Sequence, residues 1–289
     1  MSLKQIQATG INAVNMASAL LNRVRLADPV AGLWEAGDVQ WWWGVPRASD
    51  QIEQVFWLDD EGPVAGVYVT AWRNDQWQVD PIIVAGCTSI SPNAVWQTAR
   101  QLGEQFAPNG YDVPIGDDDE TFQMFARESG FVAGDSDWTS WMSATDVPGI
   151  APLADGFTIV DRSQSTNRSH PIATRNGADL ESRLAQVNLY DPTLDLSIVA
   201  PDGRSAAYIL FWFDPVTRVG LIEPVRTEDD FQRLGLARAL ITAGMARLVE
   251  KGAERLKVSW ETEPAGALYQ KVGFQVQSTT TFYQSGERD

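Results

Sequence analysis

The segment Gln232-Arg233-Leu234-Gly235-Leu236-Ala237 has the residue types of a phosphate-binding loop. It lies between a predicted strand, Val219–Val225, and a predicted amphipathic helix over Leu236–Lys251. A glycine at the start of a helix lets backbone N–H groups approach an anion, and the helix N-terminus adds about half a positive charge. The segment lacks the lysine and Ser/Thr of a nucleoside triphosphate site. It predicts a phosphate ligand of another kind.

A second motif, Leu268-Tyr269-Gln270-Lys271-Val272-Gly273-Phe274, follows about thirty residues downstream. Strand, loop, helix and second motif resemble, in this order and spacing, the GNAT N-acetyltransferases, which have Gln/Arg-x-x-Gly-x-Gly/Ala and L-Y-x-x-x-G-F signatures. The resemblance implies acetyl-CoA as co-substrate. It implies that the pyrophosphate is held by backbone amides of Gln232, Arg233, Leu234, Gly235, Leu236 and Ala237, and that Val225 and Thr227 offer backbone groups to the pantetheine arm. Because coenzyme A is an anion and the chain is acidic, the predicted local counter-charges are Arg226, Arg233 and Arg238.

The sequence departs from this family at one position. Family members often carry an asparagine seven residues before the tyrosine, and Thr262 stands there in this chain. Because Pro264 suits the first turn of a helix, the start of the last helix is expected to be intact. A side-chain hydrogen bond to the cofactor at Thr262 is not carried over.

Acyl transfer from a thioester to an amine needs a base, an oxyanion donor and a proton for the leaving thiolate. Tyr269 is the predicted proton donor, because a phenol with a pKa of about 10 stays protonated where a thiol, with a pKa of about 8.5, ionises; a buried packing role is the alternative. Glu223 is the predicted base, directly or through water, and a structural ion pair is its alternative. Pro224 predicts a bulge where the strands splay. By resemblance, the oxyanion donor is a backbone N–H around Val225.

Composition limits the classes of partner. The formal net charge is −16, with 38 Asp and Glu against 22 Lys and Arg, so the chain is not expected to bind nucleic acid or a membrane. The acidity either attracts a cationic amine or keeps the protein soluble. One cysteine, Cys87, and one histidine, His170, leave no disulfide and no predicted metal site. A buried thiol and an incidental histidine are the favoured interpretations, in a cytoplasmic protein.

The two halves of the chain repeat each other. The Gly-Phe pairs at residues 130 and 273 are offset by 143 residues, and the same offset aligns Asp80-Pro81 with Glu223-Pro224. We therefore predict an α+β fold of two tandem GNAT-like domains, residues 1–146 and 147–289, each a mixed, mostly antiparallel twisted sheet flanked by helices. Two such copies, with a silent first one, resemble the arrangement of the mycothiol synthases.

The first copy differs at the positions assigned to chemistry. Pro92 stands at the position of Gly235, and Ala126 at that of Tyr269. The first copy is therefore predicted to be silent, covering the sheet of the second or shaping its acceptor cleft. The run Trp41–Trp43 could line a pocket, but core packing is favoured.

The sequence thus predicts an acetyl-CoA-dependent N-acetyltransferase acting in its second copy by direct acyl transfer on a primary amine, with a small molecule favoured. The alternatives are a non-catalytic acyl-CoA sensor and an interaction scaffold of the same fold. Acceptor identity, acyl-chain preference and oligomeric state are not specified by the sequence.

Overall fold

The computed structural model describes residues 3–167 and 169–286. Across these residues the chain forms twelve β-strands and eight α-helices. The first part of the chain contains β1 (Lys4–Ala8), α1 (Gly10–Ala27), α2 (Ala36–Trp43), β2 (Gln54–Asp59), β3 (Gly62–Ala71), β4 (Trp77–Ile83), α3 (Pro92–Phe106), β5 (Asp112–Gly116), α4 (Glu120–Glu128) and β6 (Val132–Ser143). The second contains β7 (Thr158–Asp161), α5 (Ala173–Asn176), α6 (Leu180–Leu184), β8 (Asp195–Val199), β9 (Ser205–Asp214), β10 (Val219–Thr227), α7 (Leu236–Glu250), β11 (Arg255–Trp260), α8 (Glu263–Lys271) and β12 (Gln275–Gln284).

The chain divides into two compact units that are not continuous in sequence. Unit 1 comprises Met1–Val39, Pro46–Trp138 and Ser278–Asp289, and unit 2 comprises Gln40–Val45 and Thr139–Gln277. Strands β6 and β12 therefore each contribute residues to both units. The predicted domain limit between residues 146 and 147 stays a prediction about where two sequence copies meet.

Each unit includes a run of five neighbouring strands in the same arrangement. In unit 1 the order is β1-β2-β3-β4-β5, with antiparallel pairs except for the parallel β4–β5 pair. In unit 2 the order β7-β8-β9-β10-β11 has its parallel pair at β10–β11. This shared order confirms the predicted repeat of a mixed, mostly antiparallel sheet.

Unit 1 gains strand residues from β12, most of which follows unit 2 in sequence. Residues Thr280–Gln284 of β12 pair antiparallel with Asp112–Gly116 of β5. On the next strand in order, Ser136 of β6 lies 3.2 Å from Thr281, hydroxyl to hydroxyl. In unit 2, Thr139 of β6 reaches Ser259 of β11 at the same distance of 3.2 Å.

Helix α7 packs on the β9–β10 part of unit 2 through the apolar face predicted from the sequence. Leu240, Ile241, Met245 and Leu248 are fully buried. Gly244 lies on this face, and a Cβ placed there would stand 2.0 Å from the Phe211 ring. The glycine therefore allows the helix to approach β9 closely, because close-packed cores do not tolerate such overlap.

Helix α3 is the counterpart of α7 in unit 1. Its N-cap, Ser91, accepts a hydrogen bond from the Ala94 N–H, and Pro92 occupies the first turn. Val95, Trp96, Ala99 and Leu102 bury its apolar face in the core of unit 1. That core also holds Cys87, which is partly exposed and not fully buried as predicted.

Candidate active site

The parallel strands β10 and β11 pair over only a short length. Their ladder joins Val219–Leu221 to Arg255–Lys257, and β10 then continues to Thr227 with β9 on its other side. From Ile222 onward the two parallel strands therefore diverge. A gap between diverging strands leaves backbone N–H and C=O groups of β10 available to a ligand.

The divergence coincides with an irregularity in β10. The register with β9 shifts between Ile222 and Val225, so that Glu223 and Pro224 together face one residue of β9, Leu210. The Trp212 indole Nε1–H donates to the carbonyl oxygen of Glu223 over 2.7 Å and fixes the bulge. The bulge predicted from Pro224 is confirmed, and Glu223 and Val225 are both partly exposed there.

The loop before α7 has the geometry of an anion site. Gly235 is the N-cap with φ of +77°, and a Cβ at this position would meet nothing within 4 Å. The first bond of the helix runs from the Ala239 N–H to the Gly235 carbonyl oxygen over 3.1 Å. The preceding N–H groups, of Leu236, Ala237 and Arg238, therefore have no partner within the helix. The first turn contains no acidic side chain.

The three arginines around this loop differ in whether they form ion pairs. Arg233 and Arg238 are exposed, and neither forms an ion pair with any residue that the structure describes. Arg226, predicted as a third counter-charge, instead binds the carboxylate of Asp229 over 2.8 Å. The prediction for Arg226 did not include this pair, in which the carboxylate three residues away competes with a bound phosphate for the guanidinium. Gln232 is held by the same carboxylate, to which its side-chain amide donates over 3.1 Å.

Tyr269 lies on α8 with 5% of its surface exposed. Its ring meets the Phe274 ring edge to face, with centroids 6.2 Å apart. The absence of a side chain at Gly266 lets α8 lie close on β11, since a Cβ there would come within 2.5 Å of the Trp260 ring. Burial and the negative charge of Glu223 both raise the pKa of Tyr269. The two predicted catalytic residues therefore lie within electrostatic reach of each other.

The equivalent positions in unit 1 are closed to a ligand. Asp80, at the position of Glu223, is 2% exposed and accepts hydrogen bonds from Trp34 Nε1 over 2.8 Å and Gln78 Nε2 over 2.9 Å. Burial raises the pKa of Asp80 to about 7. Pro92 and the Ser91 cap remove donors from the α3 terminus, and Ala126 carries no hydroxyl.

One hydrogen-bonded group in unit 2 was missed by sequence reasoning. His170 is 2% exposed, its Nδ1 accepts from the Ile172 N–H over 3.2 Å, and its Nε2–H donates to Asp195 over 2.6 Å. The Tyr190 hydroxyl donates to the same carboxylate over 2.8 Å. Because a backbone N–H can only donate, the ring is the neutral Nε2–H tautomer. The histidine ties the segment before α5 to β8, and no local sequence signal pairs it with Asp195.

The part of the chain that the structure describes holds no group of three or more His, Cys, Asp or Glu side chains that could bind a metal ion. No helix within it has the length and apolarity that crossing a bilayer requires.

Residues 165–274, which carry the loop, the bulge and Tyr269, match the Acetyltransferase (GNAT) family. This segment is therefore a GNAT domain. A curated relative, mycothiol acetyltransferase from Paenarthrobacter aurescens, is 34% identical over 114 residues, 37% of this chain. The match spans only 34% of that relative's length.

Solved structures extend the similarity of fold to the whole chain. A tandem GNAT protein from the clavulanic acid biosynthesis pathway covers 100% of both chains, with a TM-score of 0.69 and 14% identity. A GCN5-related N-acetyltransferase from Sphaerobacter thermophilus covers 98% of this chain and 95% of its own, with a TM-score of 0.65 and 16% identity. The chain thus has the tandem GNAT fold predicted from its internal repeat.

Proposed function

We propose that this protein is an acetyl-CoA-dependent N-acetyltransferase that transfers the acetyl group directly to a primary amine in unit 2. The observation that carries the proposal is that the diverging strands, the open Gly235 loop and the Glu223–Tyr269 pair all belong to one GNAT domain, residues 165–274. The curated relative is named as an acetyltransferase, which supports the same reaction class.

The residues present fit acetyl-CoA. The amides of Leu236, Ala237 and Arg238 at the start of α7 would hold the pyrophosphate, with the dipole of a 15-residue helix behind them. Gln232, Arg233, Leu234 and Gly235 are exposed beside them. Val225 and Thr227 would offer backbone groups of β10 to the pantetheine arm along the gap between β10 and β11. The bound co-substrate supplies an activated acetyl thioester.

Glu223 would act as the base. Its position at the bulge, partly exposed and next to the diverging strands, suits a carboxylate that takes a proton from an acceptor amine directly or through water. An amine must lose a proton to attack a carbonyl carbon. The backbone N–H of Val225, just after the bulge, would stabilise the negative charge that develops on the carbonyl oxygen.

Tyr269 would supply the proton for the leaving thiolate. Its raised pKa keeps the phenol protonated at neutral pH, since a free tyrosine already titrates near 10. The phenol hydrogen would pass to sulfur as the carbon–sulfur bond breaks. The proton taken by Glu223 would then pass through water to the Tyr269 phenolate, which restores both groups.

The test is release of coenzyme A thiol from acetyl-CoA in the presence of a panel of primary amines, with mass spectrometry of the acetylated product. Stoichiometric thiol and N-acetyl product establish the reaction. Binding of acetyl-CoA without turnover of any amine would instead support the non-catalytic sensor, an alternative with which Thr262 is consistent and against which Tyr269 and the phosphate loop argue. Absence of acetyl-CoA binding would support a scaffold.

A further inference from the structure

Unit 2 carries a cluster of charged side chains on the side of its sheet away from α7. Ala207, Ile209 and Phe211 of β9 belong to the core under α7. Side chains alternate along a strand, so Tyr208 faces the opposite side. Arg226 of β10 is the register partner of Tyr208 and shares that face.

Four side chains meet there. Arg175 of α5 donates to Glu228 over 2.9 Å, which places α5 over this face. Arg226 Nε lies 4.0 Å from the same Glu228 oxygen, beyond hydrogen-bond reach. Burial and the charge of Glu228 raise the pKa of the Tyr208 phenol, while Arg175 opposes the shift by charge and by a hydrogen bond. A carboxylate is thus surrounded by two guanidinium groups and a phenol.

One donor of this cluster is unused. Arg226 Nε is buried and has no hydrogen-bond partner among the described residues, although its Nη2 binds Asp229. A buried donor without an acceptor is unfavourable, because it has lost its hydrogen bonds to water. The rest of the cluster is open to solvent: 45% of the Arg175 side chain and 32% of both the Glu228 and the Arg226 side chains are exposed. A small anion can therefore reach this carboxylate position and give Arg226 its missing acceptor.

We propose that the acceptor carries a carboxylate as well as its amine, and that Arg175 and Arg226 bind this carboxylate at the position where Glu228 lies. The inference rests on the proposed function, which places the amine at Glu223. The ligand carboxylate takes the Arg175 contact from Glu228 and accepts from Arg226 Nε. Without an acceptor, Glu228 holds the two arginines in place. An acceptor binds them only if its carboxylate can displace Glu228.

The spacing along the sheet sets the length of the acceptor. Glu223 and Pro224 face Leu210, and Arg226 faces Tyr208. Two residues of strand correspond to about 7 Å, so amine and carboxylate are separated by roughly that distance. An extended ω-amino acid or a dipeptide spans it. An α-amino acid does not, because both of its groups are attached to one carbon.

The experiment compares 6-aminohexanoate, hexylamine and 2-aminohexanoate as acceptors by initial rates of coenzyme A release. We expect kcat/KM to be at least tenfold higher for 6-aminohexanoate than for either of the others. Arg175→Gln and Arg226→Gln should reduce this preference to less than twofold. Glu228→Gln should raise kcat/KM for 6-aminohexanoate severalfold, because the competitor loses its charge.

The sign of the Glu228→Gln effect separates recognition from a structural role. If the cluster only ties α5 to β10, all three substitutions weaken the protein and none changes the preference between acceptors, which would overturn the inference. Arg218→Gln is the matched control, because Arg218 pairs with Glu254 at an exposed turn and loses the same charge.

Calorimetric titration of 6-aminohexanoate and hexylamine in the presence of coenzyme A gives a readout that does not need turnover. Tighter binding of 6-aminohexanoate, lost in Arg226→Gln, supports the carboxylate subsite even if no amine is acetylated and the proposed function fails. Equal binding of the two probes, or binding of neither, refutes the subsite. Turnover of hexylamine as fast as 6-aminohexanoate refutes it too while leaving the transferase function standing.

Discussion

Burial and the charge of Glu223 together raise the pKa of the Tyr269 phenol, although the two residues lie 46 positions apart in sequence. A nearby carboxylate disfavours the negatively charged phenolate, so the phenol keeps its proton at neutral pH. The proposed roles of Tyr269 as acid and Glu223 as base require this protonation state.

Tyr269→Phe should lower kcat by roughly 10²–10⁴-fold, the usual contribution of a general acid. The dissociation constant for acetyl-CoA should change by less than about twofold, because the ring and its contact with Phe274 are retained. Steady-state kinetics and calorimetry check the two expectations. Tyr283→Phe, at a buried tyrosine of unit 1, is the control. Turnover at the parent rate would show that Tyr269 only packs the helix.

The pH profile of kcat reports the same pair. Because the pKa of Tyr269 is raised, its deprotonation should not reduce kcat below about pH 10, the ordinary value for a phenol. Glu223→Gln removes a negative charge and should move the alkaline limb of the residual activity to lower pH. A limb that stays in place, or moves upward, would contradict electrostatic contact between the two side chains.

Gly235→Glu should abolish acetyl-CoA binding. The substitution places a carboxylate in the open space before α7 and forces a side chain into a φ of +77°. Calorimetric titration should show one site in the parent and none in the variant. Gly86→Glu is the matched control, since Gly86 in unit 1 has φ of +76° and the same open surroundings. Loss of binding in both variants would point to a general defect of folding.

Asp80→Asn should stabilise the protein at and above neutral pH. The folded protein retains a proton on Asp80 up to about pH 7, whereas the unfolded chain releases it near 3.8. The unfolded state therefore binds fewer protons in this window, and stability falls as pH rises through it. Three pKa units correspond to roughly 4 kcal/mol, so a gain of about 2–4 kcal/mol above pH 7 is expected, with little change at pH 4.

Urea denaturation at a series of pH values measures this difference. Asp60→Asn, at the exposed turn between β2 and β3, is the matched control. A gain that is largest at acidic pH would have the wrong sign and would place the buried proton elsewhere.

Gly244→Ala should destabilise unit 2 by about 1–3 kcal/mol, the usual cost of overpacking, because the new methyl group overlaps the Phe211 ring. Chemical denaturation measures the loss. Adding Phe211→Leu should restore part of it, since the smaller side chain makes room. Gly149→Ala, where a Cβ meets nothing within 4 Å, is the control. Equal effects of the two alanines would refute the close approach of α7 to β9.

The elements that position the candidate site could be predicted because their signals are local. Gly235 is required by a positive φ, and Pro224 marks the bulge three residues before Thr227. The observed α7, Leu236–Glu250, differs from the predicted helix by one residue. These features depend on backbone conformation and on periodicity, which neighbouring residues determine.

The partners of charged side chains could not be predicted in the same way. Arg226 is predicted as a counter-charge to coenzyme A, and its ion pair with Asp229 is visible only in the structure. His170 reaches Asp195 across 25 residues, and Arg175 reaches Glu228 across 53. Such pairs depend on which strands and helices meet in three dimensions. The exchange of β12 residues into unit 1 is hidden for the same reason, because any strand pattern fits several edges.

The pairing of Thr280–Gln284 with β5 has a consequence for how the protein is made. During synthesis the residues up to Trp138 leave the ribosome well before Ser278 does. Until β12 is available, the edge of β5 in unit 1 therefore lacks its pairing strand. An uncovered edge is where strands of different molecules join. The strand set of unit 1 is therefore complete only after β12 has been synthesised, and residues up to Trp138 expressed alone lack a strand of their own unit.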